Sequence, residues 1–218
     1  MKRVVRAFDR FLYRCQGVFV FWDHPDCMFR AQLTQARREI GLPGAVIPAG
    51  AEVLGLHFWN EHMPQIAPEG PTLAQAVRAR RMILSTFRAL AREMHRDPRM
   101  EGIQALGGAT VLFAAGDGSG GDRLFTRLGF TVFPCRSPLG RFGQFWENVY
   151  TWSLMWAYNA VSLRQRKLLA LERTESWITA RDFLQRYADT GEVPPQPGPE
   201  RAGAPARGTH PKDGSGGN

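Results

Sequence analysis

Residues 52–63 read EVLGLHFWNEHM, an apolar run that ends in His57, Asn60, Glu61 and His62. Imidazole and carboxylate groups this close together are the raw material of a metal centre or an acid–base pair. A metal centre would need a further protein ligand, and no spacing along the chain marks one. Strand alternation also separates the candidates. In an extended chain Leu54, Leu56 and Phe58 share one face, and Val53, Gly55, His57 and Trp59 share the other. His62 lies past the strand's end, beside Met63 and Pro64. No metal and no cofactor is therefore expected. His57 and Asn60 are expected to hydrogen-bond a neighbouring turn or a polar ligand, with a satisfied structural histidine as the plainer reading.

A second stretch with the right residue types is GDGSGG at 116–121. Gly116, Gly118 and Gly121 have the G-x-G-x-x-G spacing that lets a backbone cradle phosphate, and they lie between a strand pattern and a helix pattern. The helix that follows has only about two turns, shorter than a dinucleotide crossover calls for. No acid ends the next strand, FTVFPCR, where a ribose hydroxyl would be read. A glycine-rich turn is the plainer reading, and phosphate binding is the alternative. The chain has no GxxxxGK[ST], HExxH or GxSxG pattern.

The elements that must position these residues follow from periodicity. Val4, Val5, Phe8, Phe11 and Leu12 recur at helical spacing, with Arg3, Arg6, Asp9, Arg10 and Arg14 elsewhere on the helix. This helix is expected to pack its apolar stripe on the domain; the functional alternative is a helix lying on an anionic membrane surface. Residues 27–37 alternate as a half-buried strand, 40–53 hold turn signals around short β pieces, and 52–59 are strongly β-prone. Thr72 is a good N-cap for a long helix over 72–96, which Asp97-Pro98 ends. Its apolar stripe runs from Leu73 to Met94. Arg78, Arg80, Arg81, Arg88 and Arg92 occupy the other face. Residues 109–115 and 130–134 read as short strands, 122–128 as a short helix with Gly129 as its cap, 168–179 as an extended segment, and ARDFLQRYA as a last helix capped by Thr179. The order predicts an α+β or mixed α/β fold: an N-terminal helix, a small antiparallel β meander, a long amphipathic helix, further short strands and an aromatic-rich helix.

That aromatic helix, 142–163, carries Phe142, Phe145, Val149, Trp152, Trp156, Asn159 and Leu163 at steps of three and four. Its length is near that of a membrane span, but Gln144, Glu147, Asn148 and Asn159 would be costly in a bilayer. A buried core helix is the leading expectation and interfacial contact the next. Trp152 and Trp156 also suit the wall of a ligand groove.

The formal charge is +8 over 218 residues. Cations and anions balance in the last 28 residues, so the whole excess lies in 1–190. That part is expected to be a single domain, and the Pro/Gly-rich stretch 191–218 a disordered tail. A basic body favours anionic partners: a membrane surface, or an anionic glycan or lipid ligand. Nucleic acid is an alternative carried only by the arginines of 72–96, without a recognised motif. Three cysteines with no paired spacing fit a reducing compartment, and the N-terminus lacks the pattern of a signal peptide, so a cytoplasmic, membrane-peripheral protein is expected.

Two resemblances follow. LFTRLGFTVF (124–133) is similar to the F-Y-x-x-L-G-F segment of GNAT-type acetyltransferases. In that family the CoA-pyrophosphate loop lies much further upstream, with a strand and a helix between. Gly121, three residues from Leu124, is too near to fill that role. IPAGAEVLGLHFWNE (47–61) resembles the YkoP-like domain family of bacteria, with FRAQL (29–33) matching its Arg-containing strand. The resemblance implies a fold shared over about 8–187. It also implies a connection with cell-envelope glycans, since some members are joined to polysaccharide deacetylase domains. Candidate binding residues are then His57, Trp59, Asn60, Arg30, Trp152 and Trp156. The expected function is an accessory or binding module connected with envelope glycan or lipid metabolism. A small transferase for an acyl-CoA or nucleotide donor, using the Gly116–Gly121 loop, is the alternative.

Overall fold

Period-two apolar residues in two facing segments build the first half of the sheet. In the computed structural model, β1 (Phe29–Gln35) and β4 (Glu52–Phe58) pair antiparallel in a register that places Arg30 opposite His57 and Ala31 opposite Leu56. The structure describes residues 2–64, 72–110, 120–135, 140–158, 160–163 and 173–188. Between β1 and β4, the turn-rich stretch forms a small hairpin of β2 (Ile40–Leu42) and β3 (Ala45–Ile47).

The sheet continues with β5 (Ala105–Thr110), β6 (Thr131–Cys135) and β7 (Arg173–Thr179), in the order β1-β4-β5-β7-β6. β4 and β5 run parallel; the other neighbours run antiparallel. A parallel pair needs a crossover. It is supplied by α2 (Leu73–Arg96). Thr72 caps α2 with a full capping box: its hydroxyl accepts from the Gln75 amide, and the Gln75 side chain accepts from the Thr72 amide. Asp97 and Pro98 end it as the sequence indicates.

Phe87, Leu90 and Ala91 of α2 are fully buried against one sheet face, beside Phe183 of α5 (Ala180–Tyr187) and Phe125 of α3 (Gly120–Arg127). The first turns of α2 depart from expectation. Leu73 and Val77 are 82% and 61% exposed, and the buried stripe begins only at Met82. Gly129 closes α3 at φ +92, with its own amide and that of Phe130 returning to the carbonyls of Thr126 and Phe125. Thr179 caps α5 by accepting from the Asp182 amide.

The opposite sheet face carries Arg30, Gln32, Val53, His57 and Trp177. The β2–β3 hairpin packs with Val53, Ala105 and Trp177 at one end of it. At the other end lie α1 (Lys2–Cys15) and α4 (Gly140–Tyr158). Tyr13 of α1 bonds the Phe58 carbonyl, and Glu147 of α4 forms an ion pair with Arg173 of β7. α1 and α4 run antiparallel: Lys2 lies over Trp156, Arg6 over Tyr158, and Phe8 meets Tyr150.

Two expectations about these helices are overturned. The apolar stripe of α1 is only partly covered by the domain: Val4, Phe8 and Phe11 are 70%, 51% and 59% exposed, while Val5 and Leu12 are half-buried. The only fully buried residue of α1 is Asp9. α4 is not a core helix along its predicted stripe either. Phe142, Phe145 and Trp146 are exposed, Trp152 and Trp156 half-buried, and the buried positions are Asn148, Met155 and Ala157 among others. No helix among the described residues is long and apolar enough to cross a membrane. The expectations for Gly116 and Gly118, for Asn159 and for the tail from residue 191 fall outside the described residues.

Candidate functional site

The candidate residues of β1 and β4 do come together, but around α1 and not around the tryptophans of α4. Arg30 and His57 are cross-strand partners, so both side chains point to the face that α1 covers. The Arg30 guanidinium sits between two rings, 4.9 Å from the centre of Tyr13 and 4.5 Å from that of Trp59. Cation–π stacking of this kind favours Arg over Lys. Glu61, in the short 3-10 turn Asn60–His62, lies 3.5 Å from Arg30 and 3.6 Å from Arg10.

His57 is engaged within the fold. Its Nε2 meets Gln32 Oε1 at 2.9 Å, its ring stands edge-on to Tyr13, and burial lowers its pKa. Gln32 in turn donates to the Gln16 carbonyl that follows α1. His62 is likewise engaged, through Nδ1 to the Cys27 carbonyl at 2.8 Å and by stacking on Trp59 at 3.8 Å. The two histidines therefore have separate partners. No group of three His, Cys, Asp or Glu among the described residues is placed to hold a metal ion.

Asn60 leads to what sequence reasoning missed. Its amide reaches Tyr13 at 3.5 Å and the carboxyl of Asp9 at 3.4 Å. Asp9 is 1% exposed and also receives hydrogen bonds from Tyr150 at 2.8 Å and Tyr158 at 3.2 Å. Burial raises its pKa; the hydrogen bonds from Tyr150, Asn60 and Tyr158 pull it back, and Glu61 pushes it up. The same burial, with Asp9 beside them, raises the pKa values of Tyr13, Tyr150 and Tyr158. The hydroxyls are thus held as donors. Asp9 was legible as the lone acid on a basic helix, with Tyr13 one turn on. Its burial was not legible, because Tyr150 and Tyr158 come from a helix some 140 residues away.

Trp152 and Trp156 are not among the described partners of His57, which are Gln32 and Tyr13; Trp156 instead lies under the Lys2 ammonium at 5.4 Å. Of the glycine loop, only the region of Gly121 is described, in the first turn of α3. β5 and α2 are the strand and helix upstream of α3. The phosphate loop of the acetyltransferase resemblance would therefore precede α2, where residues 65–71 lie outside the described residues.

An open groove of about 250 Å³ runs beside α1, lined by Arg10, Tyr13, Arg14, Val18, Val20 and Arg30. Its walls come from α1, the segment after it and β1, the parts that the Arg30–Tyr13–Trp59 stack holds together. No curated protein and no solved structure matches the chain. The family model described as the YkoP domain matches residues 1–187, which takes in α1, the sheet and α5. With the match covering every described element up to Tyr187, the chain belongs to the YkoP domain family.

Proposed function

We propose that this YkoP domain is a non-catalytic binding module that docks on an anionic membrane surface at the cytoplasmic face, beside envelope glycan or lipid metabolism. The observation that carries the reading is the orientation of α1. Its inward side holds Asp9, which leaves Val4, Phe8 and Phe11 facing out. Arg3, Arg10 and Arg14 line one side of that stripe, and the one acid of the helix is buried with a raised pKa. A short helix with aromatic residues on one side and cations on the next is the form that lies in a headgroup layer. α4 also leaves Phe142, Phe145 and Trp146 exposed. Aromatic rings of this kind favour the membrane–water boundary.

Flotation of the full chain with phosphatidylglycerol-containing vesicles tests the reading. Binding is expected at low ionic strength and is expected to fall as salt screens the cations. Failure to float on anionic vesicles at low salt removes it.

One observation supports a second reading, a small transferase for an acyl-CoA or nucleotide donor. β4 and β5 pair in parallel only over 53–55 with 105–107, and past that point Leu56, Phe58, Gly108, Ala109, Thr110 and Phe125 line a crevice. Crevices beyond the carboxyl ends of parallel strands are common ligand sites. This one has about 10 Å³ of free space, room for a water at most. It therefore ranks behind docking. A rise in melting temperature with acetyl-CoA would favour it, since a ligand of the native state must raise stability; an unchanged melting temperature counts against it.

A further inference from the structure

We infer that the groove beside α1 is a binding site for a phosphomonoester, with Arg30 as the group that grips the phosphate. The guanidinium is fixed by its two rings before any ligand arrives, so little side-chain freedom remains to be lost on binding. Its hydrogen-bonding capacity is nonetheless under-used. The Nε is buried and makes no hydrogen bond among the described residues, and the ion pair to Glu61 is long at 3.5 Å, with Glu61 shared with Arg10 at 3.6 Å. Charge-assisted contacts of full strength are about 2.7–2.9 Å. A face-stacked guanidinium can bond only through its edge, and Arg30 lines the groove.

The charge balance selects the ligand. Arg10, Arg14 and Arg30 line the groove, while among the described residues Glu61 is the one carboxylate paired with any of them. Three cations against one anion leave a surplus that suits the doubly charged state of a phosphomonoester better than a carboxylate or a phosphodiester. Val18 and Val20 give the groove an apolar wall, so a carbon chain attached to the phosphate also has a place. At about 250 Å³ the groove is smaller than the roughly 300–1,000 Å³ usual for enclosing a drug-sized ligand, so it takes a head group and leaves the rest outside. The phosphomonoester is either free in solution or the head of a lipid such as phosphatidic acid.

This site does not depend on membrane docking, and the two can be tested apart. Hexyl phosphate, which is soluble and needs no vesicle, is titrated into the full chain by calorimetry, with hexyl sulfate as the singly charged control. Hexyl phosphate is expected to bind more tightly than hexyl sulfate. Arg30→Met is expected to weaken it by at least about tenfold, the worth of a charge-assisted pair. Because Arg30→Met also removes a packed side chain, Arg14→Gln serves as the second variant; Arg14 lies in the groove with its side chain unbonded among the described residues, and its loss is expected to weaken binding by about threefold to tenfold. Vesicles of phosphatidylcholine carrying phosphatidic acid, against phosphatidylglycerol at matched surface charge, distinguish the sources. Arg30-dependent preference for phosphatidic acid with no binding of hexyl phosphate assigns the lipid; the reverse assigns the soluble ester. Absence of both, or equal binding by wild type and Arg14→Gln, overturns the site. Flotation on phosphatidylglycerol then still decides the docking face by itself.

Discussion

Asp9→Ala lowers the unfolding free energy by about 3 kcal/mol in a urea titration, the largest loss expected from any single change on α1. Tyr150, Tyr158 and Asn60 all direct donors at this carboxyl. Removing an acceptor that several partly buried donors share leaves each with part of the desolvation penalty, which is about 1–3 kcal/mol for a fully buried group. Exposed neighbours provide the contrast. Arg3→Gln on the same helix is expected to change stability by less than about 0.5 kcal/mol.

The carboxyl also gives α1 a pH response of known sign. Its pKa in the fold lies above the unfolded value, so the folded state binds more protons in the window between the two. Its contribution is full below the unfolded pKa and is lost as pH rises through the folded pKa. Asp97 works the other way: its carboxyl is bonded by Arg99, which depresses its pKa. The quantity to follow is therefore the difference in stability between wild type and Asp9→Asn. That difference is expected to shift in favour of wild type as pH falls from neutral towards 4. A difference that stays flat would mean that Asp9 is not held proton-rich in the fold.

Most elements could be read from the chain because their signals are local. Thr72 with Gln75, Thr179 with Asp182, and Gly129 after α3 are caps whose partners lie within three or four residues. β1 and β4 announce themselves by alternation, and the face assigned to His57 follows from the same period of two. β5 begins at Ala105, earlier than expected, since ALGG is poor in strand-forming side chains and is held there by β4 and β7. The orientation of α1 was not legible. Hydrophobic periodicity says which residues share a side, and it assigns that side to the core by default. Here three hydroxyl and amide donors from distant segments provide a seat for a carboxyl, and the apolar side is turned out. The site reading fared in the same way. Arg30, His57, Trp59 and Asn60 do cluster, but Tyr13, which meets Arg30, His57 and Asn60, could not be picked out of a basic helix.

The second large effect belongs to the stripe itself. Val4→Ser combined with Phe11→Ser removes two outward apolar side chains and touches neither the Asp9 cluster nor Arg30. Their combined loss of burial in a headgroup layer is worth about 2 kcal/mol, or about thirtyfold in vesicle affinity. Folding stability is expected to stay within about 0.5 kcal/mol of wild type, since both positions face solvent in the free chain. The most direct measurement is flotation of wild type and this double variant side by side on phosphatidylglycerol-containing and on pure phosphatidylcholine vesicles. The outward orientation of α1 predicts that wild type floats only with the anionic vesicles and that the double variant stays behind while remaining folded. Equal flotation of the two chains, or a double variant that fails to fold because its stripe belonged to the core, would contradict it.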